Sequence, residues 1–130
     1  MRNIKFRAWD RFAKEMVFAK TIDFGTNGAE CIVDSDGING DVGGEWDLEQ
    51  YTGLHDKNGK EIYEGDIVKL HVVILSPDDK VGFIEYRPEF GYCINFGKSI
   101  ARQEYWAAND KHTIEVIGNI HENPVLLEEQ

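Results

Sequence analysis

The chain has 130 residues, with 14 Lys and Arg against 24 Asp and Glu, a formal charge of −10. At this length folding buries roughly two-thirds of the unfolded surface, so a real core needs no covalent staples. Two cysteines, Cys31 and Cys93, exclude a disulfide-dense scaffold and a Cys₄ zinc site, and the excess of acid speaks against an ordinary phosphate-tracking nucleic-acid binder.

Strand is the dominant local signal. Ile4, Phe6 and Ala8 alternate with Asn3, Lys5 and Arg7, a period of two. A polar break over Asp10–Glu15 and an apolar stretch over Met16–Phe24 complete an expected hairpin. Cys31-Ile32-Val33 is a short strand candidate, and Asp34–Gly44, with four glycines among acids, is expected to be a loop. Trp46–Leu54 reads as extended. Asp56-Lys57-Asn58-Gly59-Lys60 is the sharpest turn, because Asn-Gly tolerates positive φ at both central positions, which predicts a type I′ hairpin turn.

Beyond it, Glu61–Glu64 is a short strand broken at Gly65-Asp66, and Ile67–Leu75 is a long one. Ser76-Pro77-Asp78-Asp79 is a turn with its φ preset by proline. Val81–Tyr86 and Tyr92–Phe96 flank a turn at Arg87–Gly91, and Thr113–Ile120 is the last strand. Ser99–Asn109 fits both helix and strand and is read as a loop with a short helical turn. Asn123-Pro124 has the order of an N-cap and a first helical residue. About five short strands between Ile62 and Ile120 fit a small SH3-like barrel, which closes its sheet and hides its edges. The expected fold is therefore mainly β: a β-rich N-terminal extension over residues 1–55, an SH3-like barrel over 56–122 and a short C-terminal helix over 123–130, packed as one compact unit.

Charge is uneven along the chain. Residues 1–20 carry six Lys or Arg and two acids, residues 21–79 three Lys and fourteen acids, and residues 80–130 five basic residues and eight acids. A basic start and an acidic middle either neutralise one another or serve two partners. No apolar run approaches the roughly 18 residues needed to cross a bilayer, and Met1–Asp10 lacks the apolar region of a signal peptide. A cytoplasmic protein is expected, with both thiols reduced and packed as small hydrophobes.

Motifs that carry chemistry are absent or out of register. Gly97-Lys98-Ser99 resembles the end of a phosphate-binding loop, but the first glycine would fall at Tyr92. Asp34-Ser35-Asp36 begins like a calcium loop with Glu45 twelfth, yet Asn39 stands where the bend needs glycine. The histidines, His55, His71, His112 and His121, have no metal-ligand spacing, and no Ser or Cys sits in a nucleophile elbow. No enzyme activity, cofactor or metal is expected. The candidates that remain are for interaction: Trp9, and Tyr86, Arg87, Phe90 and Tyr92 around a hairpin tip, where aromatics are hard to bury and small barrels hold extended peptides, together with the acidic Asp34, Asp36 and Asp41.

Several blocks resemble the YopX family. They are Ile4-Lys5-Phe6-Arg7-Ala8-Trp9-Asp10, Gln50-Tyr51-Thr52-Gly53-Leu54, the run from Asp56-Lys57-Asn58-Gly59-Lys60 through Gly65-Asp66-Ile67-Val68, Ile117-Gly118-Asn119-Ile120 and Glu122-Asn123-Pro124. They occur in the family's order from one end of the chain to the other. The resemblance implies a small protein of phages and prophages, β-rich with an SH3-like portion, acting in the cytoplasm of a bacterial host, with no established activity and no catalytic residues to carry over. A non-enzymatic protein-interaction module with a host or phage protein as partner is the leading expectation, and a homo-oligomer stays open. The alternative is a nucleic-acid-related role, by weak DNA or RNA binding through the basic N-terminal hairpin or by DNA mimicry through the acidic middle. A third reading, a pocket built from His71, His112 or His121, requires those side chains to converge.

Overall fold

The computed structural model describes residues 3–72, 79–107 and 112–128, mainly as β-strand. Two units divide the chain, residues 1–51 and 52–130.

In the first unit the N-terminal alternation makes β1 (Phe6–Asp10) and β2 (Glu15–Gly25), followed by β3 (Gly28–Asp34), β4 (Asn39–Asp41) and the start of β5 (Trp46–His55). Their order is β4-β3-β2-β1-β5, antiparallel throughout. Ala8 pairs with Val17 on one side and Leu48 on the other. With Ile32, Trp46, Ala19, Ile22 and Val42 these residues form the unit's core. Ile4 precedes β1 and is exposed.

The expected loop over Asp34–Gly44 holds a strand, β4. Its central residue, Gly40, lies against the indole of Trp46, where a Cβ would come within 2.2 Å of a ring carbon. The glycine that reads as flexibility in the sequence serves close approach. The turn before β4 is closed by Asp34. Its Oδ1 accepts from the backbone N–H of Asp36 at 2.9 Å and Ile38 at 2.8 Å, and Gly37 completes the turn at φ 84°. Asp10 does similar work between β1 and β2, accepting from Phe12 and Ala13.

In the second unit the end of β5 pairs with β6 (Glu61–Tyr63). A further sheet contains β7 (Asp66–Val72), β8 (Lys80–Arg87), β9 (Gly91–Asn95), β10 (Ile100–Ala101) and β11 (His112–Asn119), in the order β10-β9-β8-β7-β11. Ile62, Val68, Leu70, Ile84, Ile94 and Ile114 pack its core with Tyr92, Ala101 and Trp106. The ambiguous stretch resolves into β10 and a four-residue helix, α1 (Gln103–Trp106). Both ends of α1 bond the backbone of Tyr92: Gln103 Oε1 accepts from its N–H and Trp106 Nε1 donates to its carbonyl, each at 2.9 Å.

Three expectations need correction. Among the described residues the second sheet does not close into a barrel, with β10 and β11 at its edges: β10 is only two residues long, and α1 lies in the connection that follows it. The turn at Asn58-Gly59 is not type I′, because only Gly59 takes positive φ, 83°. Gly59 N–H donates to the Asp56 carbonyl at 3.0 Å, and Asp56 Oδ1 takes the N–H groups of Asn58 and Lys60, the same design as at Asp34. Finally, Pro124–Leu127 is a single 3₁₀ turn; Asn123 and Pro124 hold the expected N-cap and first positions, but the Asn123 side chain makes no capping bond. Its Oδ1 instead accepts from Asn119 N–H, at the end of β11. The long strand expected through Leu75 and the turn at Ser76-Pro77-Asp78 extend over residues 73–78, outside the described residues.

Candidate functional site

The candidate residues divide sharply by burial. Trp9 is 7% exposed and Tyr92 8%, so both belong to packed interiors. Asp34 is 4% exposed, its carboxylate spent on its own turn, while Asp36, in the turn before β4, and Asp41, the last residue of β4, are exposed. Among the described residues no group of three or more His, Cys, Asp or Glu is placed to hold a metal ion.

The basic N-terminal segment is partly neutralised within its own unit. Arg7 Nε donates to Glu49 Oε1 at 2.9 Å in a buried pair, and the Arg11 guanidinium forks onto Asp47. Register explains the first, since Arg7 lies directly across from Glu49.

In the second unit, Tyr86 and Phe90 remain at the surface, 54% and 37% exposed. Tyr86 packs edge-on against Tyr92, with ring centres 5.3 Å apart. Arg87 is held by Glu85 at 2.8 Å. Phe90 lies beneath the guanidinium of Arg102, 5.2 Å from the ring centre, a contact that orders both groups. Arg102 also edges a groove of about 280 Å³. Buried Leu70 and Ala101 contribute its apolar base, Phe96, Ile100 and the half-exposed Tyr105 its sides, and Lys80 its other charged edge. Lys80 sits over the Phe96 ring at 5.7 Å.

Lys80, Phe96, Ile100, Arg102 and Tyr105 were not among the residues marked by sequence. The available signal was the Tyr105-Trp106 step, in which Trp106 turns inward and Tyr105 outward. It is legible only once α1 is known to be helical.

His71 and His112 do not converge. His71 pairs with Thr113 and His112 with Val72, so successive positions send His71 and His112 to opposite faces of the sheet. His71 Nδ1 lies 2.6 Å from Asp79. His112 lines a separate cavity of about 380 Å³ with His55, Lys57 and Trp106, and packs its ring 4.4 Å from that of Tyr105.

Asp56 also borders this cavity, but its carboxylate is fully engaged: beyond the two turn donors, Oδ2 accepts from Val116 N–H at 3.0 Å. Burial opposes its charge, yet the donors Val116, Lys60 and Asn58, with Lys60's own charge, outweigh that and hold the carboxyl below the usual range. Cys93 is fully buried, and burial pushes its thiol up.

The fold and surface define a small β-rich protein of two units, with an aromatic groove in the second. The chain belongs to the YopX family, whose model (YopX protein) matches residues 5–128. It is similar to the crystal structure of protein EF1440 from Enterococcus faecalis, with 31% identity, a TM-score of 0.68 and coverage of 98% of this chain and 99% of that one. It is also similar to the X-ray structure of protein yopX from Bacillus subtilis, at 19% identity and a TM-score of 0.67 over 100% of this chain and 99% of that one, which shows the fold alone. No curated protein matches the chain. Among the described residues no helix is long and apolar enough to cross a membrane.

Proposed function

We propose that this chain is a non-enzymatic protein-interaction module of a phage or prophage, working in the bacterial cytoplasm on a host or phage protein. The second sheet supports an SH3-like reading in its strand order, since β11 returns beside β7 after a meander through β8, β9 and β10. The observation that carries the proposal is an apolar groove flanked by half-exposed Phe96 and Tyr105, with Lys80 over the Phe96 ring and Arg102, at its edge, over that of the neighbouring Phe90. Ordered aromatics at low entropic cost are what protein-recognition surfaces use.

The direct nucleic-acid alternative is weakened by the ion pairs that occupy Arg7 and Arg11, and the mimicry alternative by the burial of Asp34, Glu49, Asp56 and Asp66. The test is crosslinking and affinity capture from the bacterial host, comparing the wild-type chain with Phe90→Ala/Tyr105→Ala. A partner that the wild type captures and the folded double variant loses supports the proposal. Capture that is indistinguishable from control beads, or unaltered by the double variant, overturns it.

A further inference from the structure

We propose that the groove beside β10 takes an extended acidic segment of a partner protein, added as a further strand. This deepens the interaction reading above and rests on it. The backbone supplies the first observation. Phe96 N–H donates to the Ser99 carbonyl at 2.9 Å, and Ile100 and Ala101 then stand across from Asn95 and Ile94. In an antiparallel ladder facing positions alternate between bonded and non-bonded pairs. Ser99 is in a bonded pair, so Ile100 is in the next, non-bonded one, and its N–H and C=O point away from β9. Among the described residues β10 ends its sheet, which leaves that donor and acceptor on the edge where strand addition occurs.

The second observation is the lining. Residues 99–102 border the groove without a break, so an added strand runs along its length. Alternate side chains of that strand face Leu70 and Ala101 between Phe96 and Tyr105, which selects aliphatic residues there.

The third is charge. In a chain of net charge −10, the charged residues that line this groove among those described, Lys80 and Arg102, are both basic. Arg102 has an ion pair with Glu104 at 3.4 Å, but that carboxylate is outside the groove and largely exposed, so it competes weakly. The local sign is the reverse of the molecule's, which favours carboxylates and disfavours a basic segment.

The test uses the whole chain against a displayed library of random decapeptides, followed by fluorescence anisotropy and amide NMR with the enriched peptides. Enriched sequences are expected to pair acidic residues with an aliphatic one and to shift the amide of Ile100. They should bind the Lys80→Glu/Arg102→Glu variant about tenfold or more weakly, and weaken as salt rises from about 50 to about 500 mM. The salt series on the wild type reads the same interaction without depending on the variant's folding.

Enriched peptides without acids, equal binding to the charge-reversed variant, or shifts confined to residues away from 96–105 overturn the proposal. So does single-stranded polyuridine that displaces the peptides from these residues at lower concentration, which reassigns the groove to nucleic acid. Self-association abolished by the same charge reversal, with no peptide enriched, overturns it in favour of a second copy. A host partner still captured by the charge-reversed chain leaves the interaction reading standing and removes this one alone.

Discussion

Two turns of one design give an internally controlled test of how much a single long-range bond contributes. Asp34 and Asp56 each accept two backbone N–H groups from their own turn through Oδ1, each followed by a glycine near φ 84°. What sets them apart is that Asp56 Oδ2 also accepts from Val116 N–H, sixty residues on in β11. Changing either residue to Asn keeps one carbonyl oxygen for the turn donors. At Asp56 it also sets an NH₂ against the Val116 N–H, so a charged hydrogen bond is lost and a partly buried donor is left unpaired. That costs about 2–3 kcal/mol, against no more than about 1 kcal/mol for Asp34→Asn.

Native-state hydrogen exchange reads the two units separately, at Ile84 and Ile94 for Asp56→Asn and at Ile32 for Asp34→Asn. The Asp56 carboxyl is held below its unfolded-state value. Its stabilisation is therefore complete above about pH 4 and is lost as pH falls through the lower, folded-state value. The gap between wild type and Asp56→Asn should close on acidification. Equal costs for the two substitutions, or a gap that holds or widens below pH 4, would refute the reasoning.

Three other outcomes follow from local geometry. Lys14 sits at φ 59° in a left-handed conformation, so Lys14→Gly should raise stability by about 0.5–1 kcal/mol despite glycine's greater unfolded freedom, measured by urea denaturation. Gly40→Ala drives a methyl into the Trp46 indole and should cost about 2 kcal/mol, seen as a lower thermal midpoint. Cys31 is partly exposed while Cys93 is buried with its thiol pushed up. Ellman's reagent at pH 8 should therefore label Cys31 first and Cys93 about a hundredfold more slowly, limited by opening of the fold. Equal rates would count against the packing described.

Period-two patterning was enough to find β1 and β11, and apolar stretches between turn signals marked β2, β8 and β9, although three consecutive residues at the centres of β1 and β9 are buried. What pattern could not supply was the identity of contacts far apart in sequence. Gly40 looks like a loop glycine until Trp46 is placed over it. Asn123 looks like a helix cap, but the end of β11 claims its side chain. Asn58-Gly59 signals a tight turn correctly, and the type changed because Asp56 supplies an acceptor that lets Asn58 keep ordinary backbone angles. The candidate site was half legible. Tyr86 and Phe90 follow from their place at a hairpin tip. Arg102 and Tyr105 needed the helix between β10 and β11, where helical and strand propensities are balanced and only docking on Tyr92 decides. The acids were legible as charge but not as structure. Asp10, Asp34 and Asp56 all close turns, so the charge that suggested an acidic patch is in part the chain's way of reversing direction.

The pairing of β7 with β11 has a consequence for synthesis. Every strand of the first unit has partners within the first 50 residues, and these can pair soon after they emerge. β7 finds one neighbour, β8, quickly, but its other edge stays open until residues 112–119 are made. At about 5–20 residues per second that is an interval of a few seconds, in which a β-prone strand stands paired on one edge only, beside an unfinished core. The Asp56 carboxylate spans the same interval, with one oxygen settled by its own turn and the other waiting for Val116. Slow codons between β8 and β11 should therefore favour aggregation of this chain, whereas slow codons before β7 should leave its yield unchanged.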